Sequence, residues 1–137
     1  MRFPSPVLLL LAAACSVPMA AAAPPAPIVV VRTGETMSGQ PIRIPAEPRE
    51  VVVSRVTLGP GGVIPAHRHA WSRYAYVESG RIRVTNLDTQ AVRELGPGDV
   101  LVEPLDQWHE GRALGDEPVR LVVTDHVPAG QGNVVWR

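Results

Sequence analysis

The sequence predicts an all-β protein, an antiparallel β-barrel or sandwich built as a single domain, and three observations predict it. Short runs rich in valine and isoleucine recur along the chain, turn-forming clusters separate them, and no window carries a helical stripe. The runs are "IVVVR" (28–32), "EVVVSRVTL" (50–58), "RYAYVE" (73–78), "RIRVTN" (81–86), "DVLVE" (99–103) and "VRLVVTDHV" (119–127). Several alternate apolar and polar residues with the period of two that a half-buried strand needs, because successive side chains leave opposite faces. Between them stand "GPGG", "ESG", "LDTQ", "GPGD" and "LGDEP", whose residues favour turns. With 15 prolines and 12 glycines among 137 residues, long helices have nowhere to form. "VESGRIRVTN" reads as a hairpin turning at Ser79-Gly80, since glycine accepts the positive φ of such turns.

The start of the chain sets a compartment. Arg2, an apolar run from Val7 to Ala14 and an alanine tract ending at Ala23 have the layout of a secretory signal, too short for a membrane span. Residues 1–23 are therefore expected to be removed and the product exported, periplasmic or secreted. Residues 24–34 would form a linker and 35–137 the barrel domain, large enough for a core without staples. Cys15 is the one cysteine, so a mature chain beginning near Pro24 has no thiol for a disulfide or a nucleophile. "LAAAC" also resembles a lipoprotein box, in which Cys15 would be lipidated and anchor the chain.

Charge and composition exclude further classes. Basic and acidic residues balance at 13 each, which gives no electrostatic footprint for nucleic acid or an anionic membrane. All the basic residues are arginines, so Schiff-base and lysine general-base chemistry is excluded. No phosphate-cradling loop, Ser/His/Asp order or paired-carboxylate signature stands out.

Metal chemistry is what the histidines suggest. His67 and His69 share parity, so on a strand both rings leave one face and converge on one point; neutral imidazole is a common ligand for zinc, copper, nickel and iron. Spacing alone is weak support, because H-x-H pairs are frequent on exposed strands. The surrounding residues add to it. "GGVIPAHRHAWSRYAYVESG" follows G-x5-H-x-H-x(3,4)-E-x6-G through Gly61, His67, His69 and Gly80. "GDVLVEPLDQWH" follows G-x5-P-x-G-x2-H-x3-N through Gly98, Pro104 and His109. These motifs, at 61–80 and 98–113, resemble those of the cupin superfamily.

The resemblance implies a cupin-type β-barrel or jelly roll in which His67, His69 and His109 hold one divalent metal ion (Zn, Mn, Fe, Ni or Cu). It also implies pairing into a homodimer. Where the family carries its glutamate ligand, this chain has Arg73 under the x3 spacing or Tyr74 under x4. Asp106 stands at the glycine of the second motif and Ala113 at its asparagine. Aspartate tolerates the left-handed conformation better than most residues, which suits a tight turn at 106.

A guanidinium cannot ligate a metal and stays charged, so Arg73 has two expected roles. It faces the anionic end of a small-molecule ligand beside a three-histidine ion, or it pairs with an acid such as Glu103, Asp106 or Glu110 in a metal-free pocket. A unit charge at about 6 Å from a dication, at an effective dielectric of about 20, costs roughly 5 kcal/mol. That weakens metal binding without forbidding it.

Trp71, Tyr74 and Trp108 are candidate pocket-lining aromatics; the bland alternative for them, and for Tyr76, is packing. Glu103 and Glu110 are candidate proton shuttles, though charged strand residues usually face solvent. His126 reads as a strand-end residue. Three functions remain open: a metal-dependent enzyme for a small anionic molecule, a non-catalytic binding module, and a metal-free structural cupin.

Overall fold

The structure, a computed structural model, describes residues 27–137. The signal expected at 1–23, with Cys15, lies outside the described residues. Nine strands follow one another: β1 Glu50–Leu58, β2 Val63–Arg68, β3 Arg73–Ser79, β4 Arg81–Asn86, β5 Val92–Leu95, β6 Val100–Val102, β7 His109–Leu114, β8 Val119–Val127 and β9 Val135–Trp136. They form a four-stranded sheet in the order β1-β8-β3-β6 and a five-stranded sheet in the order β5-β4-β7-β2-β9. All pairings within these sheets are antiparallel.

The alternation in the sequence decides which residues fill the space between the sheets. On β8, Val119, Leu121, Val123, Asp125 and Val127 are buried while the residues between them are less so. Val77 on β3 and Ile82 and Val84 on β4 join the same cluster. Each such side chain contributes about 1.5–3 kcal/mol when fully buried, and this shared interior holds the layers together.

The five strands expected at 50–58, 73–78, 81–86, 99–103 and 119–127 are present within a residue or two. The run at 28–32 is not a strand: Ile28 to Val31 are exposed and pair with nothing among the described residues. Valine-rich sequence gives a strand only where a partner edge receives it. The turn at Gly80 also differs from expectation. β3 and β4 lie in different sheets, so the chain crosses between layers there instead of closing a hairpin. Gly80 has φ +72°, and a Cβ on it would meet the Pro118 carbonyl oxygen at 2.6 Å. Glycine is thus required by backbone conformation and by close approach alike.

A turn before β1 fastens the loop that follows β6. Met37 is buried in the core, and its N–H donates to the Val102 carbonyl. The Gln40 side chain clamps Leu105, donating to its carbonyl and accepting from its N–H, each at 2.8 Å. Asp106 follows with φ +52°, the left-handed turn expected of it, and its N–H donates to the His69 carbonyl. These bonds set residues 103–109 against the end of β2.

Candidate metal centre

His67 lies on β2 and His109 opens β7, directly opposite one another in the sheet register. His69 follows the end of β2 and bridges to Leu105. The three rings are buried, at 1–4% exposure, with centroids 4.3–4.9 Å apart. Glu103 joins them from the end of β6, on the opposite sheet, so that one potential ligand atom from each of the four residues lies within 4.8 Å of the others. The three histidines expected as ligands are therefore brought together.

The protonation pattern suits a metal. Each Nδ1 sits against a backbone carbonyl: His67 with Pro65 at 2.8 Å, His69 with Asn133 at 2.9 Å and His109 with Gln107 at 2.8 Å. A carbonyl only accepts, so each Nδ1 carries a proton and each Nε2 is left for the interior. Metal-ligating histidines are oriented in this way by their other nitrogen. Burial lowers the pKa of His67 to about 4, opposed by the Pro65 hydrogen bond and aided by the neighbouring His109 and His69; the ring is neutral, the form that ligates. Burial alone would raise the Glu103 pKa, but the His109 and His69 rings facing it hold the carboxyl well below its usual range; with each Nδ1 already donating, a proton or a cation must lie between each Nε2 and the carboxylate. Its Oε2 lies 2.7 Å from His69 Nε2 and 3.1 Å from His109 Nε2. An anionic oxygen and three imidazole nitrogens form a donor set that fits a divalent ion.

Glu103 was legible only in its weaker roles, as proton shuttle or partner of Arg73. The overlooked signal is parity: Leu101 faces the core opposite Ala75, and Glu103, two residues on, returns to that face. Its N–H donates to the Arg73 carbonyl at 3.0 Å, so the carboxylate stands on the strand beside the arginine that occupies the motif position.

Arg73 is paired with an acid, though with none of the three named for it from sequence. Its Nε and Nη2 donate to the two oxygens of Asp125, both at 2.7 Å, across the β3–β8 register. The Arg73 and Asp125 side chains are only 13% and 6% exposed, and Asn133 also donates to Asp125. Asp106 pairs instead with Arg68. An inward acid in the series Leu121, Val123, Asp125, Val127 needs a cation partner, and Arg73 is that partner.

Beside the cluster is a cavity of about 320 Å³, bordered by His67, His109, Glu103 and Arg73 and walled by aliphatic residues including Val56, Ile64 and Leu121. Glu110 borders it too, alternating on β7 with the buried His109 and Gly111, so its side chain belongs to the other face.

The three candidate aromatics are placed elsewhere. Tyr74 has the opposite parity to Arg73 and lies 5.6 Å from the His126 ring. Trp71 lies under the Arg49 guanidinium and borders a separate groove with Arg43 and Ile44. Trp108 is covered by Arg68 and Arg137. The aromatic residue that does line the cavity is Trp136, with Val134 beside it.

In the metal-free protein, His67 ties stability to pH with a definite sign. Its folded pKa of about 4 lies below the ordinary 6.5, so between these values the unfolded chain binds more protons. Stability is full above pH 6.5 and is lost as pH falls towards 4, by about 1–2 kcal/mol after screening. Glu103, whose pKa is depressed, adds a loss of the same sign at lower pH. Thermal melts of chelator-treated protein from pH 8 to 4 should show a falling midpoint; one that rises on acidification contradicts the assignment.

A buried histidine and carboxylate cluster between two antiparallel sheets makes this a jelly-roll protein with a candidate metal site. The chain belongs to the cupin family, whose domain model (Cupin_2) matches residues 54–125. A gentisate 1,2-dioxygenase from a Streptomyces species is 39% identical over 62 residues, covering 45% of this chain and 17% of that enzyme. An oxalate oxidase in complex with glycolate aligns with a TM-score of 0.54 at 25% identity, covering 63% of this chain and 45% of that one. The polyketide cyclase RemF from Streptomyces resistomycificus aligns at 0.54 and 23% identity, over 67% of this chain and 64% of that one, a likeness of fold alone. The chain thus spans less than two thirds of each of these proteins.

Proposed function

We propose that the protein is an exported cupin that holds one divalent metal ion on His67, His69, His109 and Glu103 and uses it to bind or convert a small anionic molecule in the adjoining cavity. The observation that carries this reading is the convergence of three Nε2 atoms and one carboxylate while every Nδ1 is tied to a carbonyl. Such an ion supplies Lewis-acid polarisation or, if redox-active, electron transfer to a bound ligand. The residues themselves orient the donors, exclude water with the aliphatic wall, and keep His67 neutral.

Charge supports an anion as the ligand. A dication with Glu103 leaves one positive charge, and Arg73 with Asp125 sums to zero, so a monoanion neutralises the site. The sequence relative and the oxalate oxidase are named for gentisate and oxalate, and the latter is bound to glycolate; all are small carboxylates. Export rests on the N-terminal signal, with lipidation at Cys15 as the alternative, and a homodimer on the family resemblance.

A non-catalytic or metal-free role is favoured by one feature: Glu103 Oε2 already lies within hydrogen-bond reach of His69 and His109 Nε2, and a proton held there can close the cluster in place of an ion. Native purification followed by elemental analysis and intact mass separates the readings. We expect one equivalent of a divalent metal per chain and a mature chain starting near Pro24. Protein without stoichiometric metal, and without a thermal shift on adding zinc, manganese, nickel, copper or iron, overturns the metal reading.

A further inference from the structure

Trp136 sits directly across from His67 in the β2–β9 register, and the ring centroids are 5.4 Å apart. It therefore stands on the inner face, beside one of the four ligand residues, and it lines the cavity. Yet it is 59% exposed, because β9 is a two-residue strand at the edge of its sheet. Trp71 and Trp108 each carry a guanidinium over the ring. No cation covers Trp136 among the described residues. A large apolar face is thus presented at the rim of the cavity, next to the ion's position, with no protein cation stacked upon it.

We propose that Trp136 is the specificity-determining residue of this site, selecting small anions that join a metal-ligating head to a flat apolar body stacked against its indole. The inference rests on the metal reading and deepens it. Space permits such a ligand: a dry, apolar cavity of roughly 150 Å³ accommodates benzene, and this one is about twice that, at about 320 Å³. The geometry orders the ligand as well. A head on the ion lies beside His67, and the ring across from His67 then meets the body by offset or edge contact, which adds to simple burial. Val134, on the same segment, lines the cavity with it, while the Asn133 carbonyl holds His69. The segment that presents the indole is thereby anchored to the cluster.

The test uses the full chain loaded with zinc and two probes that share one chelating head, acetohydroxamate with a methyl body and benzohydroxamate with a phenyl body. Zinc content is measured first on the wild type and on the Trp136→Ala and Trp136→Phe variants. Calorimetric titration with each probe follows. The expected result is a preference for benzohydroxamate of about tenfold or more in the wild type, kept by Trp136→Phe and reduced to about threefold or less by Trp136→Ala. Acetohydroxamate affinity and zinc content stay unchanged in both variants. An unaltered preference in Trp136→Ala, or an equal loss for both probes, overturns the role assigned to the indole. Wild-type protein that holds no zinc fails at the first measurement, and there the metal reading itself falls and takes this proposal with it.

Discussion

Arg73→Ala is expected to lower the stability of the protein by about 3–5 kcal/mol, the usual cost of removing one partner of a buried ion pair. Asp125 then keeps a carboxylate that is 6% exposed without the two hydrogen bonds that Arg73 gives it. Asn133 alone remains as its donor. From sequence, the same substitution is expected to preserve or raise metal affinity and to weaken an anionic ligand. In the structure, Asp125 already cancels the arginine's charge, which removes both the repulsion on the ion and the basis for direct attraction of an anion. Stability is therefore the first quantity to change. Replacing both residues together, as Arg73→Met with Asp125→Leu, is expected to recover most of the loss, because no charge is left unpaired. Urea denaturation measures this. A single variant within about 0.5 kcal/mol of the wild type shows that the pair does not hold the sheet.

What was legible in the sequence follows from where each signal is stored. Strand patterning is local, so β1, β3, β4 and β8 are readable in their valine and isoleucine periods. β7, "HEGRAL", has little intrinsic preference for a strand; it exists because β4 and β2 pair with it on either side. β5 and β9 are too short for a period to show. The three histidines were found because their spacing matches a family pattern. Glu103 and Asp125 were overlooked as site-builders because the pattern places its acid on β3, whereas here the neighbouring strands β6 and β8 supply the acids on either side of Arg73. Only the register of three strands shows that Asp125, Arg73 and Glu103 stand at one level. The residues that line the cavity are hidden for a similar reason: closeness in sequence to a ligand does not fix which face a ring takes, and Trp136 reaches the site by pairing from the far end of the chain.

Glu103→Gln should reduce metal affinity by about a hundredfold or more. Perturbing a residue that merely orients a ligand costs about 10–100-fold, and this change removes a charged donor from the ion itself. Glutamine keeps the size of the side chain and a carbonyl acceptor, so the fold and the three histidines are left in place. The effect reads out in thermal stability. At a zinc concentration 1,000 times the wild-type dissociation constant, binding stabilises the folded state by about 4.1 kcal/mol; at the same concentration a hundredfold weaker variant gains only about 1.4 kcal/mol. The histidines come from the five-stranded sheet or its end and Glu103 from the end of the four-stranded one, so an ion held by all four would tie the two layers together. Glu103→Gln would confine such an ion to one layer. Competition with a chromophoric chelator gives the affinity directly. If the variant keeps the wild-type affinity and thermal shift, the ion rests on His67, His69 and His109 alone and Glu103 serves only as the hydrogen-bond partner of His69 and His109.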